Sequence, residues 1–184
     1  MYEVEMKARA DHGRVRDRIA AIGGTSDGTV IQADTFYDHP ARSFAETDEA
    51  LRLRYEESTD GETGRTTLTY KGPRMDDASK TRRELETNVQ DGSSTDALLQ
   101  ALNFNPVGEV RKRRNQYRVD NFTIALDRVA GLGDFVEVER KGKETEIDSL
   151  QADVAGLLRR LGLDPADQIR ASYLELLTDN YPDQ

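Results

Sequence analysis

Several residue types are absent or scarce in this sequence, and each absence excludes a class of protein. There is no cysteine, which excludes disulfides and metal sites built on thiolates. The two histidines, His12 and His39, have no acidic or histidine partner at the spacing of metal ligands, so we expect both on the solvated surface. No apolar run is long enough to span a bilayer and no basic-then-apolar leader is present, so we expect a cytoplasmic protein with no membrane partner.

The charge balance argues against a further class. The formal net charge is −9 and the sequence pI is about 4.8, whereas a general nucleic-acid-binding protein needs a basic surface. We therefore expect no nucleic-acid partner. Acidic residues cluster in apparent loops, which gives the halophile-like surface suited to a salt-rich cytoplasm, a hypothesis that thermal stability measured against KCl would test. The length of 184 residues predicts a single domain over residues 1–184.

The first strand shows a pattern that recurs along the chain. Residues 1–8 alternate charged and apolar side chains, and successive side chains of a strand point to opposite faces. Glu3, Glu5 and Lys7 therefore share one face, while Val4 and Met6 share the other. Later segments repeat this split between turn residues, so we predict about eight strands, mostly in hairpins, with roughly four helices.

The boundaries of these elements follow from alternation, capping residues and turn residues. Predicted helices cover residues 12–22, a short segment capped by Ser94 or Thr95, residues 147–161 and residues 172–177. The predicted strands cover residues 1–8, 29–38, 50–55, 66–71, 80–87, 107–119, 122–127 and 134–140.

Two interpretations of the charged strand faces are open at this point. In a typical antiparallel sheet, the apolar face covers the core and the charged face meets water. Alternatively, the sheet closes into a barrel, helices cover its apolar outside, and the charged face lines a lumen. Such a lumen cannot be dry unless its charges are paired, so it suits a ligand with many negative oxygens and its metal ions. Lys and Arg bind phosphate oxygens, and clustered carboxylates bind Mg²⁺ or Mn²⁺.

At this point the residues resemble a known family. Glu3-x-Glu5-x-Lys7 resembles the E-x-E-x-K signature of the CYTH superfamily, the triphosphate tunnel metalloenzymes, which includes class IV adenylate cyclases and thiamine triphosphatases. Further segments resemble the family in the same order along essentially the whole chain. They are residues 32–38 (QADTFYD), 51–54 (LRLR), 68–73 (LTYKGP), 80–86, 112–114, 126–139 and the closing pair 172–173.

The resemblance implies a fold and a set of site residues. The fold is α+β, an eight-stranded antiparallel β-barrel with flanking helices and an open tunnel that binds a triphosphate and Mg²⁺ or Mn²⁺. Glu3, Glu5 and Lys7 form the implied catalytic set. The residues that resemble metal-binding carboxylates are Glu3, Glu5, Asp127, Glu137 and Glu139, with Glu84 and Glu86 as a further acidic pair. The residues that resemble phosphate-binding cations are Lys7, Arg52, Arg54, Lys71, Arg82, Lys112 and Arg114.

The register of two basic runs decides which cations face the tunnel. A slip of one residue would exchange Lys112 and Arg114 for their neighbours on the opposite face, and it would exchange Arg82 for Arg83. We predict that Lys112, Arg114 and Arg82 face inward, because their phase matches the alternation around Glu84 and along residues 110–116.

The resemblance implies more than one function. We favour a class IV adenylate cyclase-like enzyme that converts ATP to cyclic AMP and pyrophosphate. The alternatives are a triphosphatase that hydrolyses thiamine triphosphate, inorganic triphosphate or a nucleoside triphosphate, and a nucleotide- or polyphosphate-binding module without turnover. Binding alone needs fewer acids than this chain carries. The family often dimerises, so a homodimer is a further expectation, although no exposed apolar seam in the sequence indicates one.

Overall fold

The computed structural model describes residues 2–61, 64–74 and 82–179, and in them eight antiparallel strands close into a barrel. The strands are β1 (Tyr2–Arg9), β2 (Thr25–Asp38), β3 (Ala50–Ser58), β4 (Arg65–Arg74), β5 (Arg82–Val89), β6 (Asn105–Val119), β7 (Phe122–Val129) and β8 (Gly133–Gly142). Their order around the barrel is β1-β5-β4-β3-β2-β6-β7-β8. The predicted barrel is confirmed, whereas Met1 of the first predicted strand and Lys80 and Thr81 of the fifth lie outside the described residues.

The helices cover the outside of the sheet. They are α1 (His12–Ala21), α2 (Gly92–Ala101), α3 (Ile147–Arg160) and α4 (Tyr173–Asp179). Asp11 caps α1 by accepting two backbone hydrogen bonds of 2.8 and 3.1 Å. The cap predicted at Ser94 or Thr95 is wrong, because Asp91 accepts from the Ser94 N–H at 3.1 Å and starts α2 earlier. None of the helices in the described ranges has the length and apolar character needed to cross a membrane.

The main hydrophobic core lies outside the barrel, between the outer face of β1, β7 and β8 and the helices α1 and α3. The outward side chains of β1, such as Val4 and Met6, are buried under these helices. The apolar faces of these strands therefore point outward, and their charged faces point into the barrel, which is the second of the two interpretations above. The other strand residues of this core are Ala8, Val119, Ile124, Leu126, Val136 and Val138.

Two smaller clusters complete the packing. Around Leu99 of α2, apolar side chains of β2 and β3 form one cluster that covers the other side of the barrel. In the second, α4 packs against one end of the barrel, where the Phe135 and Tyr173 rings meet edge to face at 5.1 Å between centroids. The C-terminal part of the chain therefore closes this end of the interior.

The hairpin between β7 and β8 fixes the register of two acidic strands. Gly131 and Gly133 have φ angles of +79° and +94°, a region that glycine adopts without a side-chain clash. This turn places Ala125 opposite Glu137 and Thr123 opposite Glu139. The carboxylates of β8 consequently point into the barrel beside β7.

The surface positions expected for the two histidines are not observed. His12 is 7% exposed, and its Nε2 lies 2.9 Å from the carbonyl oxygen of Phe135, because the start of α1 packs over β8. His39 is half-buried, with its ring against Phe44 and Phe104 at centroid distances of 5.7 and 5.3 Å. Both rings therefore serve packing.

Candidate active site in the barrel interior

Strand β6 separates its basic residues onto two faces. The Lys112 side chain is 4% exposed, whereas the Arg111 side chain is 72% exposed. Arg114 is buried and Arg113 is exposed. The structure therefore places Lys112 and Arg114 inside the barrel, in the register that the alternation predicts.

Arg114 is held by two carboxylates from neighbouring strands. Its Nε and Nη2 donate to the two oxygens of Asp127 at 2.7 and 2.6 Å, and Nη2 also donates to Glu137. All three side chains are buried. A guanidinium fork paired in this way has a fixed orientation, and these three bonds leave two of its five N–H groups unused.

Arg54 and Lys112 share a third buried carboxylate, that of Asp34. The Nε and Nη2 of Arg54 each lie 2.6 Å from an Asp34 oxygen, and the Lys112 Nζ is 3.7 Å away. Burial acts to raise the pKa of Asp34, but the hydrogen bonds and charge of Arg54, with the charge of Lys112, hold it well below the usual value of 3.8. Burial, with the nearby charges of Arg114 and Arg54, lowers the pKa of Lys112 to about 7. An added anion would favour its charged form.

Arg52 has donor capacity to spare. Its Nη2 donates to the Thr69 hydroxyl at 3.2 Å, but its buried Nε has no partner among the described residues. A buried N–H group without an acceptor is costly, so such groups are rare in folded proteins. A ligand oxygen at this point would satisfy it.

The carboxylates of β1 lie beside those of β8, because these two strands are neighbours in the barrel. The register places Glu5 opposite Glu139 and Lys7 opposite Glu137. Burial, together with the charges of Glu3 and Glu5, raises the pKa of Glu139 to about 7. The negative charge of this group is therefore only partly compensated.

Glu3 is bridged by two lysines. The Lys71 Nζ lies 3.5 Å from one Glu3 oxygen and 3.4 Å from Glu84, and the Lys141 Nζ lies 3.3 Å from the other Glu3 oxygen. Glu84 and Lys71 therefore join the carboxylates of β1 at the edge where β1 meets β5.

The carboxylate chemistry fits a divalent metal, although the residues are not preassembled as ligands. In the part of the chain that the structure describes, no three acidic or histidine side chains form a ready metal centre. Oxygen ligands are those that Mg²⁺ and Mn²⁺ prefer. Burial and the like charges of Glu3 and Glu5 raise the pKa of Glu139, and a bound cation would relieve the repulsion among these carboxylates.

Lys7 meets the C-terminal part of the chain. It is almost fully buried, and its Nζ lies 2.5 Å from the carbonyl oxygen of Ala171 and 4.1 Å from the centre of the Tyr173 ring. The Tyr173 hydroxyl donates to Asp127 at 3.0 Å. Tyr173 thus connects the lysine of β1 with the carboxylate that holds Arg114.

Two predicted site residues lie apart from this cluster. Arg82 donates to the backbone oxygen and side chain of Asp48 at 2.8 and 2.9 Å, at the rim of the barrel. Glu86 is exposed and accepts a hydrogen bond from Thr69 at 3.2 Å. The structure brings neither side chain to the buried ion pairs around Arg54 and Arg114.

The structure also brings in residues to which the sequence assigned no role. Asp34 and Gln32 alternate with outward residues of β2, and Lys141 continues the inward phase of Glu137 and Glu139. The phase of these strands could therefore have found them. Tyr173 belongs to the closing pair that resembles the family, but no strand phase places it, because its position depends on how α4 packs on the barrel.

Comparison with known proteins agrees with this architecture. The sequence model of the CYTH domain matches residues 1–173. The MJ0240 protein of Methanocaldococcus jannaschii is 34% identical over 178 residues, which cover 96% of this chain and 98% of that protein. Adenylate cyclase CyaB of Aeromonas hydrophila is 28% identical over 146 residues, or 79% of this chain and 71% of that protein. The solved structure of PH1819 from Pyrococcus horikoshii OT3 superposes with a TM-score of 0.89 at 38% identity, covering 97% of this chain and 99% of that one.

Proposed function

Because the chain belongs to the CYTH family, we propose that it is a metal-dependent enzyme that converts ATP to cyclic AMP and pyrophosphate. CYTH family members are adenylate cyclase-like enzymes or triphosphatases. The observation that carries the proposal is a set of buried and half-buried cations, drawn from two strands, that face one interior. They are Arg52, Arg54, Lys112 and Arg114.

These cations would hold the phosphate groups. The Nε–Nη2 forks of Arg54 and Arg114 are paired with Asp34 and Asp127, so phosphate oxygens would accept from the remaining guanidinium N–H groups, while Lys112 acts as a point charge. The unpartnered Nε of Arg52 supplies a further donor. Lys7, on the same strand as Glu3 and Glu5, and Lys71, whose Nζ lies 3.5 Å from Glu3, would bind the phosphate oxygens at that side of the interior.

The carboxylates of β1 and β8 would hold the metal. Glu3, Glu5 and Glu139 are the candidates, with Asp127, Glu137 and Glu84 nearby, and Mg²⁺ or Mn²⁺ fits their oxygen donors. When bound, such an ion neutralises phosphate charge and lowers the pKa of an attacking oxygen. The chain's own contribution is to orient the triphosphate between these carboxylates and the cations, since phosphoryl transfer depends mainly on positioning and charge.

The bond changes distinguish the two candidate reactions. In the cyclase, the ribose 3′-oxygen forms a bond to the α-phosphorus, the bond from that phosphorus to the bridging oxygen breaks, and pyrophosphate leaves. In a triphosphatase, a water oxygen instead forms a bond to the terminal phosphorus and loses a proton to solvent, the bond from that phosphorus to its bridging oxygen breaks, and orthophosphate and the diphosphate-bearing remainder are released. The similarity to CyaB over 79% of the chain supports the cyclase as the first candidate. The triphosphatase is the second, because the same buried cations suit any triphosphate.

A substrate panel with product identification tests the proposal. The protein is incubated with ATP, thiamine triphosphate and inorganic triphosphate, each with Mg²⁺ or Mn²⁺. Cyclic AMP with pyrophosphate is the expected result. Orthophosphate would instead identify a triphosphatase, and metal-dependent binding without any product would identify a binding module.

A matched pair of variants links the activity to the site. Glu5→Gln removes a proposed metal ligand, so turnover should fall by orders of magnitude while the melting temperature stays close to that of the wild type. Glu109→Gln makes the same change at an exposed position on the outer face of β6 and should leave turnover unchanged. Equal activity of the two variants would contradict the assignment of Glu5.

A further inference from the structure

We propose that Gln32 makes the tunnel selective for triphosphates whose organic group carries an N–H or O–H donor, over inorganic triphosphate. This inference rests on the proposed function, because it concerns the same interior. It assigns a role to a buried amide on β2 that the triphosphate chemistry itself does not require.

A chain of polar contacts fixes the orientation of the Gln32 amide. Gln32 is 1% exposed, and its Nε2 donates to Oε2 of Glu56 on the neighbouring strand. The other Glu56 oxygen is paired with Arg65 at 2.6 Å, and the Arg65 side chain is 66% exposed. An ionised carboxylate only accepts hydrogen bonds, so Gln32 must turn its NH₂ group toward Glu56.

The opposite end of this amide is a buried acceptor without a donor. No described residue donates to Gln32 Oε1. The register places Gln32 beside Lys112, so this acceptor lies next to the proposed phosphate-binding cations. An unsatisfied buried acceptor is costly, and a hydrogen bond from a ligand would remove that cost.

The chemistry of the ligand decides what can satisfy this acceptor. Ionised phosphate oxygens are acceptors only and cannot donate to Oε1. The strand β2 adjoins neither β1 nor β8, the strands that carry the proposed metal ligands, so we do not expect the donor to come from the metal site. The remaining donors on an organic triphosphate are amino and hydroxyl groups, so the amide distinguishes such a molecule from inorganic triphosphate.

Equilibrium binding by calorimetry tests this selectivity. Wild type, Gln32→Met and Ile31→Met are each titrated with ATP and with inorganic triphosphate, in EDTA to prevent metal-dependent turnover. Gln32→Met keeps the side-chain length but removes the acceptor, so we expect ATP affinity to fall about 3- to 10-fold. Affinity for inorganic triphosphate should stay within about 2-fold, because no hydrogen bond to it is lost. Ile31→Met is the control, because Ile31 is the outward neighbour of Gln32 on the same strand, and it should leave both affinities unchanged.

A second variant guards against misfolding of the first. In Glu56→Gln, the Gln32 amide can turn over so that its Oε1 accepts from the amide introduced at position 56, and its NH₂ group then faces the ligand in place of the acceptor. This variant should also lose ATP affinity, without a loss of affinity for inorganic triphosphate, because phosphate oxygens can accept from an NH₂ group. Analogues of ATP that lack the 6-amino group, the 2′-hydroxyl or the 3′-hydroxyl identify the donor, because the analogue without it loses its sensitivity to Gln32→Met.

The outcomes separate this inference from the proposed function. Equal weakening of both ligands by Gln32→Met, or no weakening of either, overturns the role of Gln32 while leaving triphosphate binding intact. Sensitivity retained by every analogue also overturns the hydrogen-bond assignment. Wild-type protein that binds neither ligand, with EDTA or with Mg²⁺, contradicts the proposed function and this inference with it.

Discussion

Replacing Asp34 by asparagine should destabilise the protein much more than the same substitution at an exposed ion pair. The Asp34 side chain is 2% exposed and accepts two hydrogen bonds of 2.6 Å from Arg54, with Lys112 at 3.7 Å. Asp34→Asn keeps the size of the side chain but removes the negative charge. Two buried cations then lose the carboxylate that they share.

The expected magnitude follows from the burial of the pair. Removing one partner of a buried ion pair costs about 3–5 kcal/mol, because the other charge stays buried without compensation. In a protein of this size, each kcal/mol lowers the melting temperature by roughly 2–4 °C. Asp34→Asn should therefore lower the melting temperature by about 6–20 °C, measured by calorimetry at pH 7.

The pH dependence has a defined sign. The pKa of Asp34 is held below its ordinary value of 3.8 in the folded protein. A carboxylate with a lowered pKa stabilises the fold above the unfolded value, and this contribution is lost as the pH falls toward the folded value. The difference between wild type and Asp34→Asn should therefore be complete at neutral pH and should shrink only below about pH 4.

A matched control uses an exposed pair of the same geometry. Arg128 donates to the two oxygens of Asp134 at 2.8 and 2.9 Å, but the Arg128 side chain is 69% exposed. Exposed ion pairs contribute about 0–1 kcal/mol, so Asp134→Asn should lower the melting temperature by no more than about 4 °C. A similar small change in Asp34→Asn would refute the claim that the interior charges are buried and paired.

Two further predictions concern single charged side chains. Arg114→Gln should weaken binding of inorganic triphosphate at least about 10-fold in calorimetric titrations, whereas Arg113→Gln, which removes the same charge from the outer face, should stay within about 2-fold. Glu49 accepts two hydrogen bonds of 2.9 Å from Arg42 and another from Tyr70, and the Arg42 bonds lower its pKa to about 2. Glu49→Gln should therefore lower the free energy of unfolding, measured by urea denaturation at pH 7, by about 1 kcal/mol. This loss should diminish as the pH falls from about 4.5 toward 2. An undiminished loss at low pH would exclude the charge as its cause.

The alternation of side chains carries much of the information about the barrel interior. A period of two assigns Glu3, Glu5 and Lys7 to one face whatever the tertiary structure, and the apolar stripes of the helices require cover from the other face. These two requirements together favour a closed sheet with charges inside. The same alternation separates Lys112 from its exposed neighbour Arg111, because a strand cannot place adjacent side chains on one face.

The sequence patterns did not predict contacts between distant segments of the chain. Arg82 has the phase of an inward residue, but its guanidinium pairs with Asp48, in a loop with no alternating pattern. His12 starts a helix and carries no apolar signal, yet it is buried because α1 packs over β8. Tyr173 reaches Asp127 only through the docking of α4. Each of these depends on geometry that short-range patterns do not encode.

The acids of the interior divide into two groups by their environment. Asp34 and Asp127 are paired with guanidinium groups, and without them the buried arginines would carry uncompensated charge. Glu139 faces Glu5 instead, and burial together with the charges of Glu3 and Glu5 raises its pKa to about 7. Pairing with a cation stabilises the folded state. Crowding of carboxylates destabilises it unless a further cation compensates their charge. We therefore expect substitutions in the first group to lower stability, and substitutions of Glu5 to lower turnover at nearly constant stability.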